Sequence, residues 1–209
     1  MSHVDLYVVR HGETAWNREG RIQGHQDSPL TARGEAQARA VARRLAREAL
    51  SALHSSDLGR ARATADAVSG ATGLEVRPDA GLRERAFGLF EGKTWDEIGR
   101  DHADAARAAA ADPGFVVPGG ESLLAFRARV VETMERLARG AAGGALAVVT
   151  HGGFLSILYR EVMGLALTAP RTHTMVNAGV NHFRWAAGVW TIVRWGDADH
   201  LEDGALDDR

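Results

Sequence analysis

Two histidines stand in matching places in this chain. Each closes a short apolar run and is followed by glycine, in Val9-Arg10-His11-Gly12 and in Val149-Thr150-His151-Gly152. A neutral imidazole offers a lone pair for nucleophilic attack, and two of them in one pocket with Arg10 alongside suit an anionic ligand. Phosphate is the anion these residue types fit. It calls for fixed positive charge with forked donors, which arginine supplies better than lysine, and for close backbone approach, which Gly12 and Gly152 allow. A second fork is available in Ser55-Ser56-Asp57-Leu58-Gly59-Arg60-Ala61-Arg62, which opens a helix whose N-terminal amides favour anions. Arg60 and Arg62 lie two positions apart there and cannot both point into one pocket. One of them is structural.

The elements that must bring these residues together are legible in outline. Leu6 to Val9 and Ala145 to Val149 are apolar without alternation, the pattern of strands covered by helices on both faces. A helix is expected within Leu30 to Leu50, with Thr31 as N-cap, Ala38, Val41, Leu45 and Ala49 on its apolar stripe and Arg39, Arg43 and Arg47 on another. Ala52 to Ser55 reads as a strand, Gly59 to Ser69 as a helix and Leu74 to Arg77 as a third strand. Residues 82–120 break the rhythm with a glycine- and aromatic-bearing loop, an alanine-rich helical stretch from His102 to Ala111 and a Pro-Gly-Gly segment, and read as a helical lid insertion. A helix marked by Leu123, Phe126, Val130, Met134 and Leu137 follows, then the second buried strand and a helix from Phe154 to Met163. Val180 to Trp185 and Val189 to Trp195 form a hairpin, and 196–209 reads as a frayed acidic tail. The alternation implies one α/β domain over 1–209, a mostly parallel sheet between helical layers. In such sheets ligands bind beyond the carboxyl ends of the strands, where both His-Gly pairs fall.

Composition excludes several alternatives. The 209 residues contain no cysteine, so disulfides, thiolate metal sites and cysteine nucleophiles are ruled out. Charges nearly balance, 25 basic against 27 acidic, and Glu35 and Glu48 interrupt the arginine stripe, so no field draws the chain to nucleic acid or an anionic membrane. No apolar run approaches the roughly 20 residues of a membrane span, and Met1 to Asp5 carries no leader pattern. The expectation is a soluble cytoplasmic protein, with a homodimer left open. His25, His54, His102, His173, His182 and His200 show no ligand spacing, and no metal is expected.

The blocks around the histidines resemble a known family. Arg10-His11-Gly12-Glu13-Thr14 with Trp16-Asn17 and Gly20-Arg21-Ile22-Gln23-Gly24, then Asp27-Ser28-Pro29-Leu30-Thr31, Ser55-Ser56-Asp57-Leu58 with Arg60-Ala61, Leu82 with Glu84, and Thr150-His151-Gly152-Gly153 are similar, in that order, to the histidine phosphatase superfamily, the phosphoglycerate mutase-like proteins. The resemblance implies a three-layer α/β/α sandwich. It casts His11 as the nucleophile that forms a phosphohistidine and Glu84 as proton donor to the leaving oxygen. Arg10, Asn17, Arg60, His151 and Gly152 would hold the phosphoryl group, with no cofactor. Glu13 is the rival acid, read as a loop brace, and Glu91 reads as structural. Arg21 and Arg62 are further candidates for the pocket. Trp16, Ile22, Phe90 and Trp95 are candidates for its wall or for packing under the lid.

Hydrolysis of small phosphomonoesters is the reading preferred at this stage. Mutases of the family usually carry a longer arginine-rich insertion, whereas 87–120 holds only Lys93, Arg100 and Arg107, and Ala86 stands where they tend to have histidine. Phosphoglycerate mutase is the alternative, and a phosphate-binding regulatory module the third.

Overall fold

The computed structural model describes residues 3–141 and 143–201. Six strands form one sheet in the order β3-β2-β4-β1-β5-β6. They are β1 (Val4–Arg10), β2 (Leu50–Ser55), β3 (Val76–Pro78), β4 (Gly144–Thr150), β5 (Val180–Ala186) and β6 (Val189–Asp197). The first four run parallel, and β5 and β6 are antiparallel additions at one edge. Among the described residues seven α-helices accompany them: α1 (Ala15–Glu19), α2 (Ala32–Leu45), α3 (Gly59–Thr72), α4 (Trp95–Asp101), α5 (Ala103–Ala111), α6 (Leu123–Gly140) and α7 (Gly152–Met163).

The apolar runs lack alternation because both sheet faces are covered. Leu6 and Val8 of β1 pack with Phe126, Val130, Met134, Phe154 and Leu158 of α6 and α7. Val9 turns the other way, to Val41 and Leu45 of α2 and Ala61, Ala65 and Val68 of α3. The result is a three-layer α/β/α sandwich. Each fully buried Leu, Val or Phe contributes about 1.5–3 kcal/mol of transfer free energy, so this two-sided core, more than local propensity, holds the strand register.

Local chemistry sets the boundaries. Thr31 caps α2 through Gly34 N–H, as its position suggests, but the helix ends at Leu45, and Ala49 is exposed rather than part of the apolar stripe. Asp101-His102-Ala103 bends the lid stretch into two short helices, α4 and α5, with the alanine run in the second. The 82–120 segment closes on a small core of its own, Phe90, Ile98 and Val117. The hairpin turns at Ala187 and Gly188, both with positive φ, as tight two-residue turns require. The tail expected to fray from 196 instead stays attached through 201. Asp197 is buried beside Arg44 and Arg194, and the His200 ring bonds the Ala178 carbonyl at 2.9 Å. Residues 202–209 lie outside the described residues.

Candidate active site

Strand register builds the site. In the parallel β1/β4 ladder Arg10 pairs with Thr150, and His11 N–H donates to the Thr150 carbonyl at 3.0 Å, so the two His-Gly turns leave the sheet side by side. Their rings lie 5.2 Å apart, centroid to centroid. Beside them β2 ends at Ser55, and Ser56 N–H donates to the Val149 carbonyl. Thr150 Oγ1 donates to the Leu82 carbonyl at 2.8 Å, drawing in the segment that carries Glu84. The close approach requires glycine: a Cβ on Gly12 would fall 2.4 Å from the Gly34 carbonyl oxygen.

His11 is held in one tautomer. Its Nδ1 lies 2.8 Å from the Gly12 carbonyl, which accepts only, so the proton sits on Nδ1 and the lone pair on Nε2. Arg60 Nε–H donates to that lone pair at 3.3 Å. The other Arg60 donors go to the carbonyls of Gly24 and Gln26, both at 2.8 Å, and to Asp27 Oδ1 at 3.0 Å. Arg62 faces outward and pairs with Asp66, so Arg60 is the fork of this segment that reaches the site. Arg10 donates to the Met175 carbonyl. Behind His11, His151 is fully buried, its Nε2 is 2.8 Å from Ser56 Oγ, and its Nδ1 has no hydrogen-bond partner among the described residues.

Burial, then the charges of Arg60 and Arg10, hold the His11 ring well below the usual imidazole value; burial and Arg60 do the same to His151. Both are therefore neutral near pH 7. The unfolded chain takes up protons on these rings near pH 6.5 and the folded one does not, so stability must fall as pH drops below that value and recover as it rises. The expected slope is at most about 1.4 kcal/mol per pH unit for each ring. Urea midpoints from pH 7.5 to 5 should show it, and His151→Gln should flatten it; an identical slope in that variant would contradict the assignment.

Glu84 stands on the cleft wall. Its Oε2 accepts Gly153 N–H and its Oε1 accepts Arg85 N–H, both at 2.8 Å. A Cβ on Gly153 would fall 2.2 Å from Glu84 Oε1, so a side chain there would push that carboxylate aside. The Glu84 carbonyl accepts from His25 Nε2 and from Arg129 Nη2, each at 3.0 Å. Glu13 turns to Thr31 Oγ1 at 2.7 Å, and Glu91 accepts backbone N–H groups of His25, Gln26 and Phe87.

These residues open into a cleft of about 890 Å³. Arg10, His11, Asn17, Arg60, Glu84 and Gly152 line it, while His151 lies just beneath. Trp16, Ile22 and Trp95 are on its wall, but Phe90 is buried in the small core under the insertion. Arg21 reaches the cleft with its guanidinium tied to Glu19, Glu97 and the Gly92 carbonyl. The residue pattern gave no sign of Met175 and Asn177, which arrive from the segment before β5. Asn177 Nδ2 donates to the His11 carbonyl at 3.0 Å, and Ala178 N–H to the Arg10 carbonyl. The antiparallel pairing of Val9 with Val180 was the available clue, because it returns the chain to the carboxyl end of β1. Among the described residues no three His, Asp or Glu side chains gather as metal ligands, and no helix is long and apolar enough to cross a membrane.

Residues 6–198 match the family model of the histidine phosphatase superfamily (branch 1). The chain belongs to this superfamily. Its curated relatives include phosphoglycerate mutase-like protein 4 of Arabidopsis thaliana, 39% identical over 97% of this chain and 89% of the relative. Another is a probable phosphoglycerate mutase, GpmB, of Serratia proteamaculans, 37% identical over 98% of both. Solved superfamily structures are close in shape. Bacillus stearothermophilus YhfR superposes with a TM-score of 0.85 at 33% identity, covering 95% of this chain and 100% of that one. A mycobacterial glucosyl-3-phosphoglycerate phosphatase in complex with VO3 gives 0.80 at 29% identity, with the same coverage. This superfamily member thus has relatives named for mutases and neighbours named for phosphatases.

Proposed function

We propose that the protein is a metal-independent phosphatase that hydrolyses small phosphomonoesters through a phosphohistidine on His11. The observation that carries this reading is the fixed tautomer of His11: a neutral ring whose Nε2 lone pair faces Arg60 at the base of an open cleft, with Glu84 on the same wall. In the first step Nε2 attacks phosphorus, the ester P–O bond breaks, and Glu84 gives its proton to the leaving oxygen. In the second, water attacks the phosphorus, Glu84 takes the water proton, and the N–P bond breaks. Arg60 Nε–H, which now caps the lone pair, transfers to a phosphoryl oxygen when substrate arrives. Together with Arg10, Asn17, the His151 ring and the first amides of α7 it stabilises the charge spread over the equatorial oxygens. Ser56 Oγ, which accepts Leu58 N–H, pairs with His151 Nε2, so Nδ1 is the nitrogen of that ring left for the phosphoryl group.

The test is phosphate release in the presence of a chelator, with a good and a poor leaving group compared. In Glu84→Gln, alkyl phosphates should slow about 10²-fold or more and 4-nitrophenyl phosphate less than about tenfold, because a phenolate departs without a proton. Equal slowing of both removes the acid role. The names of the relatives favour a mutase as the second reading. Rapid interconversion of 2- and 3-phosphoglycerate after priming with the bisphosphate, with slow hydrolysis, would establish it. Absence of covalent labelling by any phosphodonor would leave a phosphate-binding module.

A further inference from the structure

We propose that the outer half of the cleft is a subsite for an alcohol bearing a flat ring, which makes the substrates ring-bearing monophosphate esters. The proposal deepens the phosphatase reading and rests on it. Three observations converge. First, the wall beyond the phosphoryl site is aromatic and aliphatic: Trp16 from α1, Ile22, Phe87 and Trp95. Trp95 opens α4 directly after the Thr94 capping box, which fixes its backbone. The residue is 59% exposed, and its indole meets neither a hydrogen-bond nor a ring partner among the described residues. A large apolar side chain left open at the rim of a cavity is characteristic of a binding surface.

Second, Arg21, which lies on this wall with Trp16 and Trp95, is already paired: Nε meets Glu19 at 3.0 Å and Nη1 meets Glu97 at 2.8 Å. A ring seated there disturbs neither pair and gains the indole face. Third, the cleft of about 890 Å³ is at the upper end of the roughly 300–1,000 Å³ typical of ligand pockets, far more than a phosphoryl group with a three-carbon chain fills.

The experiment compares phenethyl phosphate with propyl phosphate, whose alcohols are of like acidity, so that their ratio of kcat/KM reads the subsite and not the leaving group. The wild type should favour the phenethyl ester by about tenfold, Trp95→Ala should bring the ratio to about one, and Trp95→Phe should keep most of it. A ratio near one in the wild type, or a ratio untouched by Trp95→Ala, overturns the inference while leaving the phosphatase reading intact. Failure to hydrolyse any ester overturns that reading instead. Calorimetry with phenethylphosphonate and propylphosphonate then decides the subsite without turnover: about tenfold tighter binding of the aromatic ligand, lost in Trp95→Ala, supports it, and equal binding sinks it. Trp95 is solvent-exposed, so its truncation leaves the core intact.

Discussion

His11→Ala is expected to lower kcat for phosphate release by at least about 10⁴-fold, the scale on which loss of a covalent nucleophile acts. His151 cannot take over. It is buried beneath His11, and its Nε2 is engaged by Ser56. Intact-mass spectrometry after alkaline quench should show a phosphorylated species in the wild type and none in the variant. Circular dichroism should show the fold retained, because the ring bonds the Gly12 carbonyl and Arg60 Nε–H and contributes nothing to the sheet ladder. A variant that keeps even a few per cent of the rate would place the nucleophile elsewhere.

Arg60→Lys is the second change expected to be severe although it conserves charge. Arg60 is buried, and its planar fork meets four acceptors at once: His11 Nε2, the carbonyls of Gly24 and Gln26, and Asp27 Oδ1. An ammonium carries three donors on a narrower tip and cannot span them. Two losses follow. The buried Gly24 carbonyl is left without its partner, at a cost of about 1–3 kcal/mol visible in the urea midpoint. The charge that faces the developing phosphoryl oxygens is also displaced, lowering kcat/KM by about 10²–10³. Arg62→Lys, on the outward face and paired with Asp66, should change both within experimental error. Similar effects at the two positions would refute the assignment of Arg60.

Much of this arrangement could be read from residue order alone, and the exceptions share a cause. Runs such as Leu6–Val9 announce a doubly covered strand because side-chain burial is a property of types and spacing. The choice between Arg60 and Arg62 was open because helical spacing separates them without saying which faces inward; the packing of α3 on α2 and the sheet decides it. What stayed hidden acts through the main chain. The Met175 carbonyl holds Arg10, and Arg129 on α6 clamps the carbonyls of Gly81, Arg83 and Glu84. Every residue type carries a carbonyl, so composition leaves no mark of it. Phe90 was open to either reading because an aromatic at a loop suits a small core as well as a pocket wall. Asp197 and His200 escaped notice for a related reason: an acidic tail looks solvated until its buried ion partners, Arg44 and Arg194, are in place.

The β1/β4 ladder has a consequence for how this scaffold tolerates change in length. Side chains alternate across a strand, so deleting or inserting one residue within Val4–Arg10 would exchange Leu6 and Val8 with Tyr7 and Val9 and carry His11 away from its counterpart. Seven consecutive backbone pairs therefore act as a molecular ruler. The distance between the imidazoles is thus written in the main chain, where point substitution cannot easily edit it.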